Sequence, residues 1–172
     1  MKAAYWDTSC VLALYAPEEI TSQAAELASI EKGPLHSSAI LEFEMTFAVH
    51  AKEVRGEIPR GSSVRVLSQF QTDLQRGRFL LVPLGIDIKA CTKDIAARTL
   101  KAETPVFLRT LDGIHIATAL ELGASELITA DKKMADAATH LGIKTKLLKK
   151  NSHPNNFSAS SLQCSENTSN YK

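Results

Sequence analysis

Two periodicities of apolar and polar positions alternate along the chain. Lys2 to Trp6 reads as a short strand that stops at Asp7, and Thr8 or Ser9 is placed to cap the apolar run from Val11 to Tyr15. Residues 18–31 carry a helical pattern that Gly33-Pro34 breaks. A brief strand at Leu35 and His36 then leads to Ser37 or Ser38 as the cap of a long helix running to about Val54. Further helices are expected over 62–76, 86–101 and 111–122, the last stopped by Gly123, and from Asp131 to about His140. Apolar runs at 79–84, 126–130 and 143–148 read as strands. Strand and helix alternate throughout, which argues for an α/β, Rossmann-like three-layer domain whose mostly parallel central sheet is flanked by helices.

Composition bounds this picture. With 172 residues, 44% of them hydrophobic, the chain suffices for one core, assigned to 1–148. Residues 149–172, rich in Ser and Asn and poor in aliphatic side chains, bury too little to offset their ordering entropy and are expected to form a disordered polar tail. No apolar run approaches the roughly 18 residues of a membrane span, and the N-terminus meets charge too soon for a signal peptide. The expected location is cytoplasmic, with no membrane partner. Cys10, Cys91 and Cys164 lack metal-ligand spacing and are expected as free thiols.

The formal net charge of +1 conceals an asymmetry. Residues 1–50 hold two Lys/Arg against seven Asp/Glu, whereas residues 51–110 hold eleven against six, including Arg55, Arg60, Arg65, Arg76 and Arg78. A basic segment beside an acidic one suits a phosphate backbone, although scattered Lys and Arg are more often only a solvated surface.

Asp7 and Asp131 each directly follow an expected strand, and ligands of an open α/β sheet sit beyond the carboxyl ends of its strands. Each is also an ordinary candidate for a helix N-cap. Glu44 has Ile40, Leu41, Phe47 and Ala48 at helical spacing and interrupts an apolar stripe, whereas Glu42, sharing its face with Met45 and Val49 toward Lys52, reads as exposed. Asp112 shares its face with Ile116, Ala119 and Leu120 and points to the core. Partly desolvated carboxylates raise one another's pKa and need a cation. Arg109 is the basic neighbour in sequence, but one guanidinium does not neutralise four carboxylates. Oxygen-only ligands favour Mg2+, or Mn2+, over zinc, and imply phosphoester chemistry.

The segments YWDTS (5–9), SSAILEFE (37–44), LRTLDGIHIATALELGA (108–124) and LITADKKMADAATHLGI (127–143) resemble, in order, the four signature stretches of the PIN-domain family, and of VapC-type toxin ribonucleases in particular. The resemblance implies a PIN-like fold in which Asp7, Glu44, Asp112 and Asp131 are the metal-binding and catalytic acids. Thr8 or Ser9, and Thr129, match the supporting hydroxyls of that family. It further implies an endoribonuclease that leaves 5′-phosphate and 3′-hydroxyl ends, with Asp7, Glu44 and Asp112 on one Mg2+ and Asp131 aiding a second ion or a water. A small VapB-like antitoxin and a homodimer are implied partners. His115, amid Ile114, Ile116 and Ala117, reads as a structural histidine without a catalytic role, and Tyr5 and Trp6 read as core. Two alternatives stand beside this reading. One is a non-catalytic PIN-like module that binds RNA or protein. The other, an aspartyl phosphatase with Asp7 as nucleophile, is disfavoured because Ser9 stands where a second Asp is needed.

Overall fold

A computed structural model describes residues 3–101 and 106–149. Its elements follow the expected order: β1 (Tyr5–Trp6), α1 (Thr8–Leu12), α2 (Thr21–Ile30), β2 (Leu35–Ser38), α3 (Leu41–Val54), α4 (Ser62–Gln75), β3 (Phe79–Val82), α5 (Ile86–Leu100), α6 (Thr110–Glu121), β4 (Leu127–Thr129), α7 (Lys132–His140) and β5 (Thr145–Leu147). The tail from residue 150 onward lies outside the described residues. The five strands form one parallel sheet in the order β3-β2-β1-β4-β5. The chain therefore steps outward from β1 to β3 on one side, crosses over, and finishes on the other. The switch in direction falls between β1 and β4, where such sheets open a crevice at the strands' carboxyl ends.

Alternate residues of the central strands feed two cores. Trp6 and Ile128 face α1 to α4 together with Leu35, Phe79, Leu41, Met45, Val49 and Phe70. Tyr5 and Leu127 face α5, α6 and α7, among Ile88, Ile95, Ile116, Met134 and Ala138. Register enforces this division, since Tyr5 pairs with Leu127 and Trp6 with Ile128. β1 has only two residues, so ladder hydrogen bonds at about 1 kcal/mol each hold it weakly. Tyr5 and Trp6 are wholly buried, and hiding roughly 150–250 Å² apiece stabilises by about 4–6 kcal/mol each. Packing fixes the strand that carries Asp7.

Several local expectations need correction. Thr8 and Ser9 do not cap α1, because the helix begins at Thr8 and the cap position is Asp7, whose side chain makes no capping bond. Ser37 and Ser38 do not start α3 either. They extend β2 and are fully buried, with the Ser37 hydroxyl donating to the Trp6 carbonyl at 2.7 Å, while Ile40 holds the cap position. On α3 the buried seam is Leu41, Met45, Val49 and Lys52, the last three of which lie on the face assigned to Glu42. Phe47, the expected core neighbour of Glu44, is 76% exposed. Lys52 is buried with its ammonium 2.6 Å from Glu18 and 2.8 Å from Glu57, so that charge is fully partnered. No helix among the described residues is long and apolar enough to cross a membrane.

Candidate active site

β1 ends at Trp6 and β4 at Thr129, so Asp7 and Asp131 emerge side by side at the switch point. Asp7 is buried, and its Oδ2 accepts the Ser9 hydroxyl at 2.6 Å and the Thr129 hydroxyl at 2.9 Å. Each hydroxyl also ties the two loops together: Ser9 Oγ accepts from the Ala130 amide at 3.1 Å, and Thr129 Oγ1 from the Asp131 amide at 2.9 Å. With Oδ2 so occupied, Oδ1 turns toward His115 Nε2 at 3.5 Å.

Glu44 reaches the same place from the first turn of α3. Its Oε2 accepts the Thr8 hydroxyl at 2.5 Å and lies 2.8 Å from His115 Nε2. A carboxylate only accepts, so Nε2 carries the proton in that contact. The other ring nitrogen, Nδ1, is 2.6 Å from the Tyr5 hydroxyl. His115 is therefore pinned between a core tyrosine and two acids, and it is 1% exposed. Burial opposes its protonation, but the Glu44 hydrogen bond and the charges of Asp7, Glu44 and Asp112 outweigh this and raise its pKa. Burial likewise pushes the Glu44 carboxyl up, but His115, Thr8 and Arg109 together outweigh it and bring its pKa below the ordinary value.

Asp112, in the first turn of α6, is buried and held by Arg109, which occupies that helix's cap position. The guanidinium donates through Nε to Oδ2 at 2.9 Å and through Nη2 to Oδ1 at 3.2 Å. The same Nη2 donates to Asp131 Oδ2 at 2.8 Å. The other Asp131 oxygen caps α7, accepting from the Lys133 and Met134 amides at 2.7 and 3.2 Å. One Asp131 oxygen thus serves the fold, at about 1 kcal/mol, and one faces the crevice.

The four acids thus stand in two neighbouring pairs: Asp7 with Glu44 around His115, and Asp112 with Asp131 around Arg109. The pairs act on one another, since Arg109 bears on Glu44, and Asp112 on His115. The hydroxyls divide as well, with Ser9 and Thr129 serving Asp7 and Thr8 serving Glu44. Reading His115 as structural captures its burial but misses its partners. The spacing of three residues from Arg109 to Asp112 and again to His115 places all three at one end of α6, but the partners of His115 come from β1, α1 and α3, which no spacing within α6 signals. The oxygen-only acids suit a hard divalent cation. Among the described residues, however, no three His, Cys, Asp or Glu side chains stand as a ready metal-ligand set. Protein cations hold the carboxylates instead.

Fold and crevice together define the class: a doubly wound α/β domain with an acidic centre at its switch point. Residues 4–139 match the model of the PIN domain, and the chain belongs to the PIN-domain family. Among known proteins it is similar to Ribonuclease VapC46 of Mycobacterium tuberculosis (strain ATCC 25618 / H37Rv), with 35% identity over 145 residues that cover 83% of this chain and 95% of the relative. Solved structures that share the fold include FitAcB from Neisseria gonorrhoeae (TM-score 0.59, 18% identity, 83% of this chain and 95% of that one) and VapBC-1 from nontypeable Haemophilus influenzae (TM-score 0.55, 20% identity, 85% and 98%).

Proposed function

We propose that this chain is a VapC-type endoribonuclease, dependent on Mg2+ or Mn2+, that hydrolyses RNA phosphodiesters as the toxin of a toxin–antitoxin pair. The observation that carries the reading is the meeting of Asp7, Glu44, Asp112 and Asp131, from four separate segments, at the switch point of the sheet. The similarity to Ribonuclease VapC46 supports the activity. Asp7 through Oδ1, Glu44 and Asp112 are the residues that would hold the ion, with Asp131 facing the same space. A bound divalent ion lowers the pKa of a water and offsets charge on the phosphoryl oxygens. The protein supplies order: Ser9 and Thr129 fix one Asp7 oxygen, and Thr8 and His115 fix Glu44, so the acids need little rearrangement.

RNA approaches from the carboxyl ends of the strands, and this narrows the basic segment. Arg76 and Arg78 precede β3 and lie at the opposite end, Lys52 is buried, and Arg55 is paired with Glu57. Lys89 and Lys93 line a cleft of about 620 Å³ with Leu84, Ile86, Thr110 and Ile114, beside the start of α6. They and Arg109 are the backbone contacts we assign. A small VapB-like antitoxin and a homodimer complete the proposal. The antitoxin is supported by two solved structures that share the fold, VapBC-1 and the VapBC2 of Rickettsia felis bound to a promoter DNA fragment (TM-score 0.54, 13% identity, 84% of this chain and 98% of that one).

The test is cleavage of RNA by the purified protein with Mg2+, with 5′-end sequencing of the products and an EDTA arm. Discrete new ends that carry 5′-phosphate and vanish in EDTA are expected. RNA retention without cleavage would replace this reading with a binding module.

A further inference from the structure

Arg109 stands apart from every other basic side chain near the acids. Its guanidinium makes three hydrogen bonds to two carboxylates on different elements, yet the side chain is 65% exposed. His115, which bridges the other two acids, is enclosed by core. Arg109 sits at the start of α6, and among the described residues its side-chain hydrogen bonds go to the two acids.

This placement has a steric and electrostatic consequence. Mg2+ takes its ligands at about 2.0–2.1 Å in near-octahedral array. Nη2 lies between Asp112 Oδ1 and Asp131 Oδ2, at 3.2 and 2.8 Å, in the space an ion would need to face both. A guanidinium and a divalent cation repel at such range, so one excludes the other. Because the side chain is largely in solvent, swinging away leaves no cavity and uncovers little apolar surface. Once released, the guanidinium remains tethered at the crevice mouth, where its fork of donors matches a phosphodiester.

We propose that Arg109 is a built-in competitor for the metal, occupying Asp112 and Asp131 when no ion is bound and passing to the RNA phosphate when an ion displaces it. This rests on the metal-dependent reading above and assigns a positioning residue within it. The exchange keeps Asp112 and Asp131 partnered in both states and couples ion loading to the release of a phosphate-binding group.

The experiment is Mn2+ binding by the full-length protein without RNA, followed by titration calorimetry, for wild type, Arg109→Ala, Arg109→Lys and Asp112→Asn. Arg109→Ala is expected to bind Mn2+ more tightly than wild type, by roughly three- to tenfold. Arg109→Lys is expected to fall between, since a point charge replaces a fork. At saturating Mn2+ the RNA KM of Arg109→Ala is expected to rise by roughly tenfold, the value of one lost charged contact. Metal affinity and substrate affinity thus move in opposite directions. A group that merely held Asp112 and Asp131 in place would weaken both on removal. Wild type binding Mn2+ with Arg109→Ala equal or weaker overturns the competitor role alone. Absence of Mn2+ binding by wild type overturns the metal reading and the competitor role with it, and full binding by Asp112→Asn overturns the competitor role alone by placing the ion away from the carboxylates that Arg109 holds.

Discussion

The two halves of the acidic crevice are neutralised in opposite ways. Asp7 and Glu44 are held by an imidazole that is 1% exposed, braced by Tyr5 and three hydroxyls. Asp112 and Asp131 are held by a guanidinium whose side chain is 65% exposed and, among the described residues, has no such brace. Charges paired away from water are costly to disturb, whereas exposed pairs are weak. The difference lies in the partners rather than in the acids: His115 belongs to the folded core, whereas Arg109 lies in solvent over Asp112, which is itself buried.

The most severe test falls on the fixed half. Asp7→Asn removes a charge and almost no volume, and the Ser9 and Thr129 hydroxyls can still donate to the amide oxygen. Cleavage of RNA with Mg2+ is expected to fall by about a hundred- to a thousandfold, with the melting profile retained. Initial rates within tenfold of wild type would show that Asp7 is a structural junction between β1 and β4, and the contrast between the halves would lose its functional meaning.

Stability separates the halves directly. His115→Ala leaves Asp7 and Glu44 without their cation and the Tyr5 hydroxyl without its partner, so urea unfolding in EDTA is expected to show a loss of about 3 kcal/mol. Arg109→Ala is expected to cost less, about 1–2 kcal/mol in the same assay, since its guanidinium is in solvent although the Asp112 carboxylate it leaves is buried. Equal losses would mean that both cations are structural.

Legibility in the sequence follows the same line. Asp7 and Asp131 were readable because each follows an apolar run, and strand ends are local signals. Asp112 was readable from Ile116 and Ala119 on its own helix. Glu44 was chosen because of an apolar stripe through Phe47, but Phe47 is exposed and the buried seam passes through Met45 and Val49. Glu44 meets Thr8 and His115 through the crossing of α3 over α1, which no spacing within α3 encodes. His115 looked like a core residue and is buried as one, but a single segment cannot reveal that the wall it packs against is made of carboxylates from β1 and α3. Ser37 and Ser38 were misread because a short polar residue before a helix resembles a cap equally when it is the end of a buried strand. The bridge from Arg109 to Asp131 spans 22 residues and waits on the β4–α7 turn.

Metal addition sharpens the comparison at smaller amplitude. Mn2+ at about ten to a hundred times its dissociation constant is expected to stabilise wild type by roughly 1–3 kcal/mol, read from melting at fixed ionic strength. Asp112→Asn is expected to keep less than about half of that gain. An unchanged gain would place the ion wholly on Asp7 and Glu44, with the open half outside the metal site.

The smallest effect is the pH dependence of the metal-free fold. The pKa of His115 is raised above its ordinary 6.5, with Glu44 and Asp7 overcoming burial, so its contribution is complete below 6.5 and is lost as pH climbs through the folded value. The pKa of Glu44 is lowered below 4.5, so its contribution is complete above 4.5 and is lost as pH falls through the folded value. The pair therefore stabilises fully only between these limits, and the melting temperature in EDTA should decline as pH rises above 6.5. Arg109 stays charged across the range, so Arg109→Ala should retain this slope. His115→Gln, which keeps a donor but does not titrate, should flatten it. A slope that survives His115→Gln and disappears in Arg109→Ala would reverse the assignment of fixed and adjustable halves.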